Sequence, residues 1–115
     1  MNKIVLLGRL VKNPELKTIE NSDKVYTKIT IAVKRNYKSS TGERKSDFIP
    51  LIMWDKRAEA ACKYLSKGDI ISVSGRLITK NYEDNEGKRR YFIEVSVDDF
   101  RKVYFPEKHN IEDVQ

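Results

Sequence analysis

Five strand-like segments surround one helical segment, and this order limits the fold of the chain more than any other feature. The predicted segments are, in chain order, strands at residues 4–10, 25–35 and 48–54, a helix at 55–68, and strands at 69–81 and 90–97. A chain of 115 residues with one such series is expected to form a single domain.

The strands are predicted from alternation of apolar residues, because successive side chains of a strand point to opposite faces. The predicted inward residues of the second strand are Val25, Thr27, Ile29, Ile31 and Val33. Those of the last two strands are Ile71, Val73, Gly75 and Leu77, then Tyr91, Ile93, Val95 and Val97. Gly75 is placed where a strand that bends around a barrel favours a residue without a side chain.

The helix is predicted from a change of period after Trp54. Ala58, Ala61, Cys62 and Leu65 have the spacing of one apolar helix face. Asp55 is expected to cap the start, and Gly68 to end the helix in the left-handed conformation. Cys62 is therefore predicted to be a buried structural thiol rather than a nucleophile.

Three strands, a helix and two strands is the order of an OB-fold, a five-stranded Greek-key barrel with its helix between the third and fourth strands. We predict that all-β fold with one helix over residues 1–105, followed by a short polar tail at 106–115. OB-folds commonly bind oligonucleotides or oligosaccharides, so the function has to be inferred from particular residues.

The first strand is apolar at both odd and even positions. Its residues Ile4, Val5, Leu6 and Leu7 therefore predict burial of both faces. A small barrel covers one face, and the second cover is either another subunit, which we favour, or the helix or a loop. The sequence thus predicts a homo-oligomer whose interface includes these four residues.

Aromatic residues provide the first candidate binding site. Phe48 and Trp54 share the strand phase opposite to Ile49, Leu51 and Met53, together with Pro50 and Ile52, and large outward apolar side chains need a cover. Tyr37 and Tyr82 lie in polar surroundings at loops, where each is either a solvated tyrosine or a stacking platform. Tyr26, Tyr64 and Tyr91 are interpreted as core residues.

Cations lie close to these aromatic residues, in a chain of formal net charge +6. The candidate phosphate contacts are Lys34, Arg35, Lys38, Arg44, Lys45, Arg76, Lys80, Lys88, Arg89 and Arg90. The group within residues 34–45 has five cations against one anion, whereas residues 76–90 have five against three. Aromatic rings and cations together suit single-stranded nucleic acid, since stacking accepts any base and Lys or Arg follows the backbone. The alternative is that these cations form a solvated charged face that binds no ligand.

Other classes of function find little support in the sequence. The single histidine, His109, lies in the tail, and no set of residues has the spacing of a catalytic, metal or cofactor site. We therefore predict no enzymatic activity, no metal and no cofactor. One cysteine and the lack of a long apolar run predict a cytoplasmic protein without a membrane segment.

Two stretches resemble bacterial single-stranded DNA-binding proteins. They are the opening residues 2–15, which read NKIVLLGRLVKNPE, and residues 60–77, which include AACKYLSKGD and VSGRL. The resemblance extends over about residues 2–100. It implies that Tyr37, Phe48, Trp54 and Tyr82 occupy the main base-stacking positions, with tyrosine or phenylalanine in places that often hold tryptophan.

The resemblance also implies a homotetramer, or at least a homodimer, whose first strand forms part of an interface. Typical members continue into a flexible linker and an acidic tip that recruits other proteins, whereas this sequence ends at Ile111-Glu112-Asp113-Val114-Gln115. This is either a naturally tailless member or a chain that has been cut back, and in both cases recruitment through such a tip is not assumed.

Two functions remain to be distinguished. The first is sequence-nonspecific binding and protection of single-stranded DNA in bacterial replication, repair and recombination, in association with the nucleoid. The alternative is an assembly module similar to a tailless primosomal OB-fold, whose outward Phe48, Ile52 and Trp54 would contact a protein.

Overall fold

The computed structural model of the protein describes residues 1–37 and 40–104. Its elements are β1 (Ile4–Leu10), β2 (Lys17–Thr18), β3 (Val25–Lys34), β4 (Ser46–Trp54), α1 (Asp55–Tyr64), β5 (Ile70–Glu83) and β6 (Arg89–Lys102). The predicted order is confirmed, with one addition. The two-residue β2 was not predicted, and it moves the helix from the position after the third strand to the position after the fourth.

The strands form one sheet in the order β1-β5-β6-β4-β3-β2, and a further pairing of β1 with β3 closes it into a barrel. The closing pairs are Arg9 with Ala32 and Leu10 with Ile31. Strands β4 and β6 are parallel, whereas all other neighbours are antiparallel. This is the predicted OB-type barrel.

The core lies inside the barrel and against one face of α1. Thr27, Ile29 and Ile31 of β3 are buried, which confirms the predicted alternation. Gly75 marks a β-bulge between β5 and β6, and a Cβ atom there would collide with the carbonyl oxygen of Ser96. The bend of the barrel therefore requires glycine at this position.

Helix α1 is shorter than predicted and begins differently. Asp55 does not cap it, since the residue at the cap position is Trp54 and its side chain makes no capping hydrogen bond. Asp55 has a φ of 51°, and its Oδ1 instead accepts a hydrogen bond of 3.3 Å from the backbone N–H of Val25. Leu65 is already extended, so the left-handed Gly68 lies beyond the helix. Cys62 is only half-buried.

The β5–β6 hairpin extends past the barrel, and three predicted core residues lie on the extension. Leu77, Ile93 and Tyr91 share a face with the buried Val95 but are exposed themselves. The predicted side is correct, but their predicted burial is wrong, because among the described strands none pairs with this part of the hairpin. Tyr64, also interpreted as core, is exposed near the end of α1.

Strand β1 packs one of its two apolar faces. Ile4 and Leu6 contact the core, whereas Val5 and Leu7 remain 68% and 58% exposed. The second face therefore has no cover from α1 or a loop among the residues described. Within that same part of the chain, no helix is long and apolar enough to cross a membrane, and no three His, Cys, Asp or Glu side chains group as metal ligands.

Candidate nucleic-acid interface

The outer face of β4 is the centre of the candidate site. Phe48 is 66% exposed, and Trp54 is half-buried. Ile52, between them on the same face, is only 1% exposed, with Lys28 of β3 and Ser96 of β6 as its neighbours in register. The prediction that Ile52 needs an external cover is therefore wrong, since its own sheet neighbours cover it. The exposed Phe48 ring and the exposed part of Trp54 remain available to a ligand.

Trp54 lies against an aromatic residue that the sequence did not indicate. Tyr26 is directly opposite it on β3, with the two ring centroids 5.4 Å apart and the planes tilted by 42°. Tyr26 thus belongs to the outer face and not to the core, in contrast to its interpretation as a core residue. The contact fixes one side of the indole ring, and such aromatic pairs restrict side-chain orientation.

Phe92 links β3 and the β5–β6 hairpin into one surface. The Nζ atom of Lys28 lies 5.5 Å from the centroid of the Phe92 ring, a cation–π contact from β3 to β6. The Tyr82 ring meets the Phe92 ring edge to face, with centroids 6.0 Å apart. Tyr82 itself is exposed near the end of β5.

Tyr37 lies at the end of β3, beside an ion pair. Arg35 Nη2 is 2.8 Å from Asp47 Oδ1, and Arg35 Nε also donates to this carboxylate. Arg35 Nη1 lies 3.4 Å from the hydroxyl oxygen of Tyr37. Hydrogen bonding from Arg35 holds the pKa of Asp47 below its usual value, so both charges persist at neutral pH. Arg35 is therefore engaged in orienting the loop, although Tyr37 is exposed.

A second ion pair lies beneath the outer face. Glu94 is 2% exposed, and its Oε1 atom lies 2.9 Å from Lys80 Nζ. That oxygen is otherwise without a hydrogen-bond partner. Lys80 is thus held by a buried carboxylate, which lowers its capacity to neutralise a phosphate.

The other cations of the hairpin differ in how closely they are paired with carboxylates. Arg90 Nε lies 2.9 Å from Asp84 Oδ2, while Arg76 is 3.9 Å from Asp98 in a loose, exposed pair. Desolvation would raise the pKa of Asp84, but hydrogen bonds from the Lys88 backbone, the Arg90 side chain and the Glu86 backbone together lower it. Arg90 is therefore paired at neutral pH.

Six predicted phosphate contacts remain to be placed. Lys34 is exposed at the end of β3. Lys38 lies outside the described residues. The four others are exposed and have no ion-pair partner within residues 1–37 and 40–104; they are Arg44, Lys45, Lys88 and Arg89.

The structure thus connects two predicted stacking residues to neighbours that sequence reasoning missed. Trp54 pairs with Tyr26, and Tyr82 pairs with Phe92. Phe48 and Tyr37 make no ring contact with these four residues within the described part of the chain, and each has an exposed ring on the β3–β4 side. A signal for the missed residues was available, since Tyr26 and Phe92 occupy the strand phase opposite to Thr27 and Val95.

Comparison with known proteins adds independent information about this chain. The model of the single-strand binding protein family matches residues 1–103. Single-stranded DNA-binding protein 2 of Clostridium acetobutylicum is 42% identical over 114 residues, which cover 99% of this chain and 85% of that relative.

Two further relatives give similar values. The single-stranded DNA-binding protein of Clostridium tetani is 41% identical over 110 residues, covering 96% of this chain and 75% of that protein. Single-stranded DNA-binding protein 1 of Staphylococcus aureus is 44% identical over 115 residues, covering 100% of this chain and 71% of that protein.

Proposed function

The chain belongs to the single-strand binding protein family, and from this premise we propose that it binds single-stranded DNA without reading base sequence. The observation that carries the proposal is the outer face of β3, β4 and the β5–β6 hairpin, where exposed aromatic rings lie among cations. The names of the relatives agree with this ligand and give no support to the protein-partner alternative.

Base stacking provides the attraction that does not depend on sequence. Phe48, Tyr82 and Tyr37 offer exposed rings, and Trp54 offers the side of its indole that Tyr26 leaves free. Each stacked base contributes about 1–3 kcal/mol to binding, because every base has a flat face. A duplex offers no such faces, so single strands are preferred.

Phosphate contacts come mainly from cations outside strong ion pairs. Arg44, Lys45, Lys88 and Arg89 are exposed at the two hairpin ends that flank the aromatic surface. The loosely paired Arg76 adds to them. Arg35, Lys80 and Arg90 instead orient carboxylates and loops, so we assign them a smaller part in binding.

Self-association is the second part of the proposal. Val5 and Leu7 form an exposed apolar stripe on β1, and an exposed strand face of this kind favours a symmetric partner. We assign the interface to these two residues, since Ile4 and Leu6 are used by the core of the same barrel. A homotetramer, or a homodimer at least, would let one DNA strand contact several barrels and gain avidity.

The biological role follows from the ligand. We infer that residues 1–105 cover and protect single strands in the bacterial cytoplasm during replication, repair and recombination. Residues 106–115 are assigned no part in this role. Binding of this kind requires no catalytic residue, in agreement with the DNA-binding character of the family.

Tryptophan fluorescence offers a direct test, because Trp54 is the only tryptophan in the chain. Titration with oligo(dT) should quench the emission at low salt, and added salt should reverse the effect. A mixed-sequence oligonucleotide should behave similarly, and a duplex of equal length should bind more weakly. Unchanged fluorescence and no shift of the oligonucleotide in native electrophoresis would refute the proposal.

A further inference from the structure

The β5–β6 hairpin leaves the barrel beyond Leu77, which pairs with Val95. Strand β1 pairs with β5 only as far as Gly75, and β4 pairs with β6 no closer to the hairpin end than Val95. Among the strands that the structure describes, residues 78–94 therefore pair only with one another, and we call them the hairpin arm. A two-stranded ribbon is marginally stable without support, so its direction depends on what holds its base.

Asn2 binds the backbone at this base. Its side-chain Nδ2 donates a 2.8 Å hydrogen bond to the carbonyl oxygen of Leu77, and the Leu77 backbone N–H donates to Asn2 Oδ1 at 2.9 Å. A side-chain amide has both donors and an acceptor, so it can pair with both backbone groups of one residue as a neighbouring strand does. Asn2 lies before β1, which begins at Ile4. It therefore extends the contact between this part of the chain and β5 from Gly75 to Leu77.

The β-bulge at Gly75 makes the direction of the arm depend on this contact. The bulge lies two residues before Leu77, and a bulge bends and twists the ribbon that follows it. The hydrogen bonds from Asn2 act directly after the bend, so they fix the direction in which the arm leaves the barrel. On the other strand of the arm, Lys28 Nζ lies 5.5 Å from the centroid of the Phe92 ring. Asn2 thus holds β5, while Lys28 contacts β6.

The direction of the arm decides where its candidate binding residues lie. Tyr82 is exposed five residues beyond Leu77, and Lys88 and Arg89 are exposed where β6 begins. At about 3.3 Å per residue, Tyr82 is roughly 16 Å from the hydrogen-bonded base of the arm. A rotation of about 10° at the base therefore moves the ring by about 3 Å, close to the separation of about 3.5 Å between two flat groups in contact.

We propose that Asn2 is a positioning residue for the binding of single-stranded DNA. Its two hydrogen bonds to Leu77 fix the arm so that the arm and the outer face of β4 meet the same strand of DNA. Asn2 acts through Tyr82, Lys88 and Arg89 and contributes no DNA contact of its own. This role rests on the proposed function, because it treats the arm as part of the DNA site.

The first test is Asn2→Leu in the full chain, since leucine has about the size of asparagine and forms no side-chain hydrogen bond. Hydrogen exchange of the Leu77 amide should accelerate about fivefold, the factor that one net hydrogen bond contributes. The arm is then less often in place, so binding of oligo(dT) should weaken by about fivefold. Unfolding by urea should change little, because Asn2 is exposed and lies outside the core.

A double-mutant cycle separates positioning from a general structural effect. Tyr82→Leu should cost less affinity in the Asn2→Leu background than in the unmodified chain, because a displaced arm no longer presents this ring to the strand. Tyr37→Leu is the matched control, since Tyr37 follows the end of β3 and lies outside the arm. Its cost should be the same in both backgrounds.

The possible failures of these tests are distinguishable. Unchanged exchange of the Leu77 amide in Asn2→Leu would overturn the hold of Asn2 on the arm. Unchanged affinity of that variant for oligo(dT), or equal costs of Tyr82→Leu in the two backgrounds, would overturn the positioning role and leave the proposed function intact. Absence of oligo(dT) binding by the unmodified chain would refute the proposed function and, with it, this role.

Discussion

Replacement of Glu94 by Gln should strengthen binding to single-stranded DNA, although the residue itself is buried beneath the proposed site. Glu94 is 2% exposed, and its Oε1 lies 2.9 Å from Lys80 Nζ. The lysine side chain is 39% exposed, so its ammonium can turn to solvent or to a phosphate once the carboxylate is removed. Glutamine keeps the shape of the buried side chain and removes its charge.

The magnitude follows from counterion release. One additional phosphate contact steepens the slope of log K against log salt by roughly 0.7 for a single strand, so the gain in affinity over the control grows about fivefold for each tenfold fall in salt. Stability should fall by less than the roughly 3–5 kcal/mol typical of a fully buried pair that loses one partner, because Lys80 is not fully buried.

The assay is a fluorescence titration with oligo(dT) at several salt concentrations, together with urea unfolding. Glu59→Gln is the matched control, since it removes the same charge from an exposed helix residue that has no partner within residues 1–37 and 40–104. A Glu94→Gln slope equal to that of Glu59→Gln would show that Lys80 gains no phosphate contact, and the inferred restraint by Glu94 would be wrong.

Three further changes test other parts of the structure. Trp54→Ala should weaken binding by about 1–3 kcal/mol, the range for one lost stack; a loss of unfolding free energy above about 3 kcal/mol would instead identify Trp54 as a core residue. Val5→Asp with Leu7→Asp should yield smaller, folded species in light scattering, whereas a monomeric unmodified chain would contradict the interface. Asp47→Asn should reduce stability at neutral pH. Because hydrogen bonding to Arg35 lowers the pKa of Asp47 from 3.8, its contribution is present above that pH. The difference from the unmodified chain in urea unfolding should therefore shrink as the pH falls below 3.8, and a constant difference would count against the pair.

The order of the elements could be predicted because each strand and the helix has its own period. The alternation through Thr27, Ile29 and Ile31 fixes which face of β3 is inward, and the structure buries all three. The alternation predicts which face of the sheet a residue lies on. It does not predict whether another part of the protein covers that face. Ile93 shares the inward side of Val95 and is exposed, because the hairpin is longer than the barrel. Ile52 has the outward side and is buried, because its sheet neighbours enclose it.

The ion pairs of the site could not be predicted from the sequence, because strand register brings the opposite charges together. Arg35 meets Asp47 because β3 and β4 pair with Val33 opposite Asp47, and Lys80 meets Glu94 because the β5–β6 register places them diagonally across the hairpin. The partners are 12 and 14 residues apart along the chain and lie on different strands, so no pattern within one element indicates the pairs. A count of cations near the aromatic residues therefore overestimates the number that can neutralise phosphates. The salt dependence of binding should accordingly reflect the cations outside strong ion pairs, and not the total charge of the surface.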